Sequence, residues 1–266
     1  MKNKYRIPSL LFATVMAISV ESVLASERAE KIKMAGEIKV CIWPDYFAIS
    51  YRNPRTHRLE GIDIDMAREL AKSMNVKLTF VDSSFSLLVE NMQNNACDIA
   101  MHAIGVRDDR KPYMEFSQPY LASGIYGVGT KNNIELDRWD KIDREGVVVV
   151  VQKGTYMEPV VKARFKHAEV SVVDSFKARE QEVLSGRADV FMGDYPYAKR
   201  MVTLTNWAVL LAPDQPFAKT NYAYAVPKGE TDWLKEVDAF LLKMKANGKL
   251  AEYAEKNGLT EILVQD

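Results

Sequence analysis

Two stretches of this chain each alternate strand-like apolar runs with helix-period stripes, and no other feature restricts the fold as much. In the first, residues 38–43 read as a buried strand ended by Pro44. After Gly61, the residues Ile64, Met66, Ala67, Leu70, Ala71 and Met74 fall on one helical face. Residues 76–81 make a short strand, Phe85, Leu88, Val89 and Met92 a second helical stripe, and 98–104 an apolar strand. Strand–helix–strand–helix–strand is a parallel α/β unit with right-handed crossovers. The pattern then returns. Residues 146–151 are a valine run suited to a strand buried on both faces. Met157, Val160, Val161 and Phe165 follow at helical spacing, then a strand at 170–173, a helix at 176–184 ended by Ser185-Gly186, and a strand at 189–192.

This is an α/β chain of two lobes, each expected to be a mainly parallel sheet flanked by helices. Residues 120–130, with Gly124, Gly127 and Gly129, lie between the two units. A strand at 221–226, ended by Pro227, and helical stripes at 233–244 and 250–253 close the chain. If that last piece returns to the first lobe, two crossings join the lobes and form a hinge, and the cleft between them is the place for a ligand. The expected partition is 26–123 with 223–266 in lobe 1 and 124–222 in lobe 2. The polar segment 52–60 carries a turn at Asn53-Pro54.

Residues 1–25 read as an address. Lys2, Lys4 and Arg6 precede an apolar run at 10–20, and Val23-Leu24-Ala25 offers small or aliphatic residues before a cut after Ala25. The run is about 11 residues, about 7–9 short of a bilayer span. Export to a periplasmic compartment follows. That compartment is oxidising and permits a Cys41–Cys97 disulfide. Cys41 falls inside a strand and Cys97 just before another, so bonding depends on register, and core packing of both is the expected state. The 36 basic and 36 acidic side chains balance, which argues against a nucleic-acid partner. Three scattered histidines and two cysteines offer no metal cluster, no phosphate loop or nucleophile elbow is present, and no cofactor is implied.

Several motifs point further. Gly61-Ile62-Asp63-Ile64-Asp65-Met66 is a helix entry, where acidic groups satisfy free amides and suit the dipole. It also resembles the signature of the family 3 periplasmic solute-binding proteins, which capture polar amino acids for ABC importers. Cys97-Asp98-Ile99-Ala100-Met101, Arg107-Asp108-Asp109-Arg110 and Phe116-Ser117-Gln118-Pro119-Tyr120 are similar to that family's first-lobe motifs. Lys153-Gly154-Thr155 and the stretch 186–194 are similar to its second-lobe motifs. The resemblance covers nearly the whole chain after residue 25. It implies the type II periplasmic-binding-protein fold, a small-molecule carboxylate or amino acid as ligand, a membrane permease as partner, and a monomer.

By the resemblance, Arg110 binds the ligand carboxylate through two parallel hydrogen bonds. On its own chemistry it could equally be a surface ion pair with Asp108 or Asp109. Backbone amides near Gly105, beside Ala103, and at Tyr156, after Thr155, would add donors for the anion. Asp194 matches the ammonium acceptor, or else caps the helix that follows it. Tyr46 and Phe85 match positions that sandwich the ligand side chain, with ordinary core packing as the alternative. Trp43, His102 and Met157 fall on neighbouring positions.

The chain also departs from the family. Gly105 stands where a Ser or Thr hydroxyl usually meets the ammonium, and Trp43 where Asp or Asn often opens the pocket. Fewer hydroxyls and more rings suit a bulkier, less polar ligand, even a carboxylate with no amino group. The periplasmic cyclohexadienyl dehydratases resemble the chain too, including the segment 213–217. Such an enzyme needs a protonated carboxylic acid in the cleft, expected three residues beyond Asp194, where this chain has Tyr197. A third role, presenting a ligand to another periplasmic protein, has no motif for or against it.

Overall fold

The computed structural model describes Met1 and residues 26–264, so the proposed export segment at 1–25 lies, but for Met1, outside the described residues. Helix α1 (Glu27–Ala35), capped by the Ser26 hydroxyl on the Ala29 amide, leads into β1 (Glu37–Ile42). A small antiparallel sheet of β2 (Asp45–Tyr46), β3 (Ser50–Arg52) and β4 (Leu59–Glu60) follows. Then come α2 (Ile62–Met74), β5 (Lys77–Asp82), α3 (Leu88–Gln93), β6 (Ile99–Gly105), β7 (Met114–Phe116) and β8 (Leu121–Ser123). The second unit holds β9 (Ile125–Thr130), β10 (Val148–Gln152), α4 (Met157–Arg164), β11 (Glu169–Val173), α5 (Phe176–Leu184), β12 (Val190–Asp194), α6 (Tyr195–Leu204) and β13 (Ala208–Leu211). The chain ends with β14 (Thr220–Pro227), α7 (Thr231–Ala246) and α8 (Lys249–Lys256).

Two sheets result. One runs β5-β1-β6-β14-β7, with β8 also paired to β14, and the other β11-β10-β12-β9-β13. The parallel strands are the ones that the apolar runs mark, β5-β1-β6 and β11-β10-β12. Each sheet then continues antiparallel, through β14, β7 and β8 in the first and β9 and β13 in the second. The sheets are therefore mixed rather than purely parallel. The chain passes between them twice, from β8 to β9 and from β13 to β14. Strand β10 follows from its sequence: branched side chains from Val149 to Val151 are fully buried on both faces.

Cys41 and Cys97 are bonded, contrary to the expectation of simple core packing, with Cα atoms 5.6 Å apart. The register explains it. Strand β6 pairs parallel with β1, Cys41 opposite Ala100, and the Asp98 amide donates to the Lys39 carbonyl, which draws Cys97 beside Cys41. The aspartates of the helix entry also differ from expectation. Neither caps α2, whose N-cap is Gly61, a position with φ +125° where a Cβ would lie 2.3 Å from the Ile49 carbonyl oxygen. Asp63 turns inward instead. It accepts from the Ala103 amide (2.8 Å), the Tyr120 hydroxyl (2.7 Å) and the Tyr224 hydroxyl (3.3 Å). Full burial pushes its carboxyl up to about 7 against those three donors.

Candidate functional site

The two strands that carry Ala103 and Asp194 end on opposite sides of one cleft. Asp63 fixes Ala103, a non-glycine residue at φ +48°, by taking its amide, and so sets the floor of the first lobe. Asp194 ends β12 and caps α6, accepting from the Tyr197 amide at 3.3 Å with Pro196 in the first turn. The same carboxylate accepts from the Tyr222 hydroxyl of β14 at 2.9 Å and from the Tyr46 hydroxyl of β2. Burial pushes Asp194 up and the two phenols pull it down, the net direction being upward. Asp194 thus caps a helix and also lines the cavity.

Arg110 is not the surface ion pair that its neighbours in sequence allow. Asp109 pairs with Arg107 and Asp108 with Lys111, while Arg110 is 4% exposed. Its Nη1 donates to the Gly105 carbonyl (3.0 Å) and its Nη2 crosses to the carbonyl of Gly154, in the turn after β10 (2.9 Å). Arg107 crosses beside it to the Thr155 carbonyl (3.1 Å). Burial and the Arg107 charge pull Arg110 down to about 10, which leaves it protonated at neutral pH. Gly154 permits this approach. Its φ is +78°, and a Cβ there would lie 3.0 Å from the Ser86 nitrogen. A Cβ on Gly105 would meet the Thr220 methyl at 3.3 Å and the Tyr156 side chain at 3.8 Å, so the space beside this glycine is already filled.

Tyr46, Phe85, Ala103, Gly105, Arg110, Thr155, Tyr156 and Asp194 all line one enclosed cavity, as does Met157. Two expected residues do not. Trp43 stacks flat on Phe176, rings 4.6 Å apart and 7° from parallel, and so joins the lobes without lining the space. His102 packs behind Phe85, ring centroids 5.2 Å apart, because successive side chains of β6 point to opposite faces. Burial and Arg110 push its pKa down to about 3, so it is a neutral packing group. Phe85 itself lies before α3 rather than on it.

The sequence reading missed Phe176, Arg179 and Tyr222, which complete the lining. Phe176, Arg179 and Val183 are the buried residues of α5, so the signal was an arginine on the apolar stripe of a helix. The cavity volume is about 10 Å³, about one water. A larger molecule therefore enters only when the lobes part or the rings swing aside. No described group of His, Cys, Asp and Glu could hold a metal ion, and no described helix is long and apolar enough to cross a membrane.

Residues 38–260 match the model of the bacterial extracellular solute-binding proteins, family 3. A cyclohexadienyl dehydratase of Pseudomonas aeruginosa is 29% identical, over 91% of this chain and 92% of its own. The L-cystine-binding protein TcyJ of Escherichia coli K12 is 26% identical, over 92% and 91%. The crystal structure of the ancestral amino acid-binding protein AncCDT-1, a precursor of cyclohexadienyl dehydratase, superposes with a TM-score of 0.78 at 28% identity, over 86% of this chain and 98% of its own. A putative ABC-transporter binding component from Wolinella succinogenes, complexed with lysine, gives 0.76 at 27%, over 83% and 95%.

Proposed function

Since the chain belongs to the bacterial extracellular solute-binding proteins of family 3, we propose that it is the substrate-binding component of an ABC importer, taking an amino acid or similar small carboxylate between its lobes. The observation that carries this reading is the placement of Arg110 and Asp194, a guanidinium and a carboxylate facing one ring-lined cavity from opposite lobes. Arg110 offers the fork that a carboxylate needs, and Asp194 the acceptor that an ammonium needs. Lobe 1 comprises 26–123 with the chain from β14 onward and lobe 2 the residues between, the boundary expected at 222/223 moving to the start of β14 (Thr220–Pro227), which pairs with β6, β7 and β8 of the first sheet, and the hinge lies at the two crossings. Closure about the ligand creates the differential affinity that shifts the open–closed population, and the closed form docks on the permease as a monomer. Export removes residues 1–25. A cut after Ala25 would place the new ammonium at Ser26, whose nitrogen lies 2.9 Å from the Glu236 carboxylate.

The similarity to cyclohexadienyl dehydratase raises an enzymatic reading, and Tyr197 weighs against it. Where the acid is expected, its hydroxyl points away from the cavity and bonds to Glu180 and Arg200 (3.2 Å to the latter). Burial pushes this phenol further up from its ordinary value, so it is a poorer acid still. The test is thermal unfolding against the twenty amino acids, prephenate and arogenate. A ligand at a hundredfold excess over its Kd stabilises by about 2.7 kcal/mol. A rise with one class, lost in Arg110→Ala, is the expected result. No rise with any of them would overturn the reading, and formation of phenylpyruvate or phenylalanine would replace it with the enzyme.

A further inference from the structure

Arg179 is fully buried, and the cavity reaches it. Nη1 donates to the Met192 carbonyl of β12, but Nε and Nη2 have no hydrogen-bond partner among the described residues. The rings of Phe176, Phe191 and Tyr197 surround its guanidinium carbon at 4.9, 4.5 and 4.6 Å. Those faces hold the guanidinium in place and leave its unpaired edge as the polar feature. The nearest acidic side chain in sequence, Glu180, is committed elsewhere, to Arg200 and Tyr197. A buried cation left with unmade hydrogen bonds is costly, and such a group in a native site calls for an explanation.

Two guanidinium groups therefore face this cavity, Arg110 from the first lobe and Arg179 from the second, against the single carboxylate of Asp194. Counted in their ordinary ionised forms, these three groups give the lining a formal charge of +1. A zwitterionic amino acid with a neutral side chain satisfies Arg110 and Asp194 and leaves Arg179 as it is. A cationic side chain adds a second buried positive charge next to it. A ligand with a second acidic group closes the balance.

We infer that Arg179 is a second anion-binding residue of the cleft and that the ligand carries two acidic groups, as an acidic amino acid or a dicarboxylate does. This deepens the reading of the cleft as a carboxylate site and rests on it. One acidic group lies on Arg110 and the other on Nε and Nη2 of Arg179, a paired edge suited to a carboxylate. The rings of Phe85 and Phe176 flank the carbon chain. If the ligand has an ammonium, it takes Asp194.

The test is calorimetric titration of the wild-type protein, Arg179→Met and Arg179→Lys with L-glutamate, L-aspartate, glutarate, L-glutamine and L-lysine. Wild type is expected to bind at least one of the first three about tenfold to a hundredfold more tightly than glutamine, the range of one charge-assisted interaction. Arg179→Met is expected to weaken the diacids about tenfold to a hundredfold more than it weakens glutamine, because a merely structural arginine would shift all ligands alike or none. Arg179→Lys, which keeps the charge without the fork, falls between. Tighter binding of glutamate than of glutarate, lost in Asp194→Asn, identifies the acidic amino acid. Equal affinity identifies the dicarboxylate. Tighter binding of glutamine or lysine than of any diacid would overturn this inference and leave the transport reading standing. Binding of no carboxylate at all would overturn both.

Discussion

Adding one methyl group at Gly154 separates two properties of this molecule that are usually entangled, the stability of a lobe and the closure of the cleft. Gly154 has φ +78°, so alanine there carries the left-handed penalty of about 1–2 kcal/mol whether the cleft is open or closed. The contact with lobe 1 exists only when it is closed. The added Cβ would lie 3.0 Å from the Ser86 nitrogen and 3.2 Å from the Phe85 carbonyl carbon, both main-chain atoms that cannot swing away. Ordinary contact begins at 3.4 Å, so the loop must retreat by about 0.4 Å. The Arg110–Gly154 bond, now 2.9 Å, runs from the same loop and stretches with it. Loss of a hydrogen bond to a charged group costs about 1.5–3 kcal/mol. Apparent ligand affinity should then fall roughly tenfold to a hundredfold. Gly186→Ala is the control. It has φ +74° in the same lobe, with nothing within 4 Å of its added Cβ. Both variants should lose similar amounts of urea stability, while only Gly154→Ala should weaken ligand binding in calorimetry and enlarge the radius of gyration in solution scattering. Equal binding by the two variants would refute the closure argument.

Other perturbations test other parts. The Cys41–Cys97 bond closes a loop with a sequence separation of 56, so reducing it should cost about 4 kcal/mol in urea unfolding by the chain-entropy account; an unchanged midpoint under reductant would contradict this. Asp63 holds its proton up to about 7 in the fold and to an ordinary carboxyl value of 3.8 when unfolded. Its contribution is therefore fully present below about pH 4 and is lost as pH rises through 7, with a decline of about 2 kcal/mol between pH 5 and pH 7 that Asp63→Asn should flatten in denaturation at those two pH values. Tyr46→Phe removes a phenol from Asp194. It should raise affinity for a ligand with an ammonium about threefold to tenfold, by ending competition for that carboxylate, and an unchanged calorimetric Kd would argue that Asp194 meets no ammonium.

The fold was legible wherever hydrophobic period alone decides. The helix at 176–184 coincides with α5, and the valine run lies in β10, because a strand buried on both faces has no other way to be written. The short sheet of β2, β3 and β4 was hidden, since two- and three-residue strands carry no period. So was the direction of β9 and β14, which depends on the partner and not on the run. At the site, Asp194 and Arg110 were found through motif order. Arg179 was not, although an arginine on the apolar stripe of α5 is a polar residue at a position that packing alone would fill with leucine. Asp63 misled for a related reason: an acidic group in a first turn reads as a dipole partner, and only the tertiary neighbours Ala103, Tyr120 and Tyr224 reveal an inward one.

The closed cavity, with room for about one water, also has a consequence for kinetics. A molecule of amino-acid size has no path into it, so every productive collision must occur while the cleft is open. The observed association rate is then the intrinsic rate multiplied by the open fraction, and that fraction is set by the cross-lobe bonds of Tyr46, Arg107 and Arg110. Each 1.4 kcal/mol of added closure would slow capture tenfold before any ligand has touched the protein. Residues that hold the lobes together thus act as a throttle on uptake when solute is scarce, and loosening them would speed encounter while shortening the time a solute is retained.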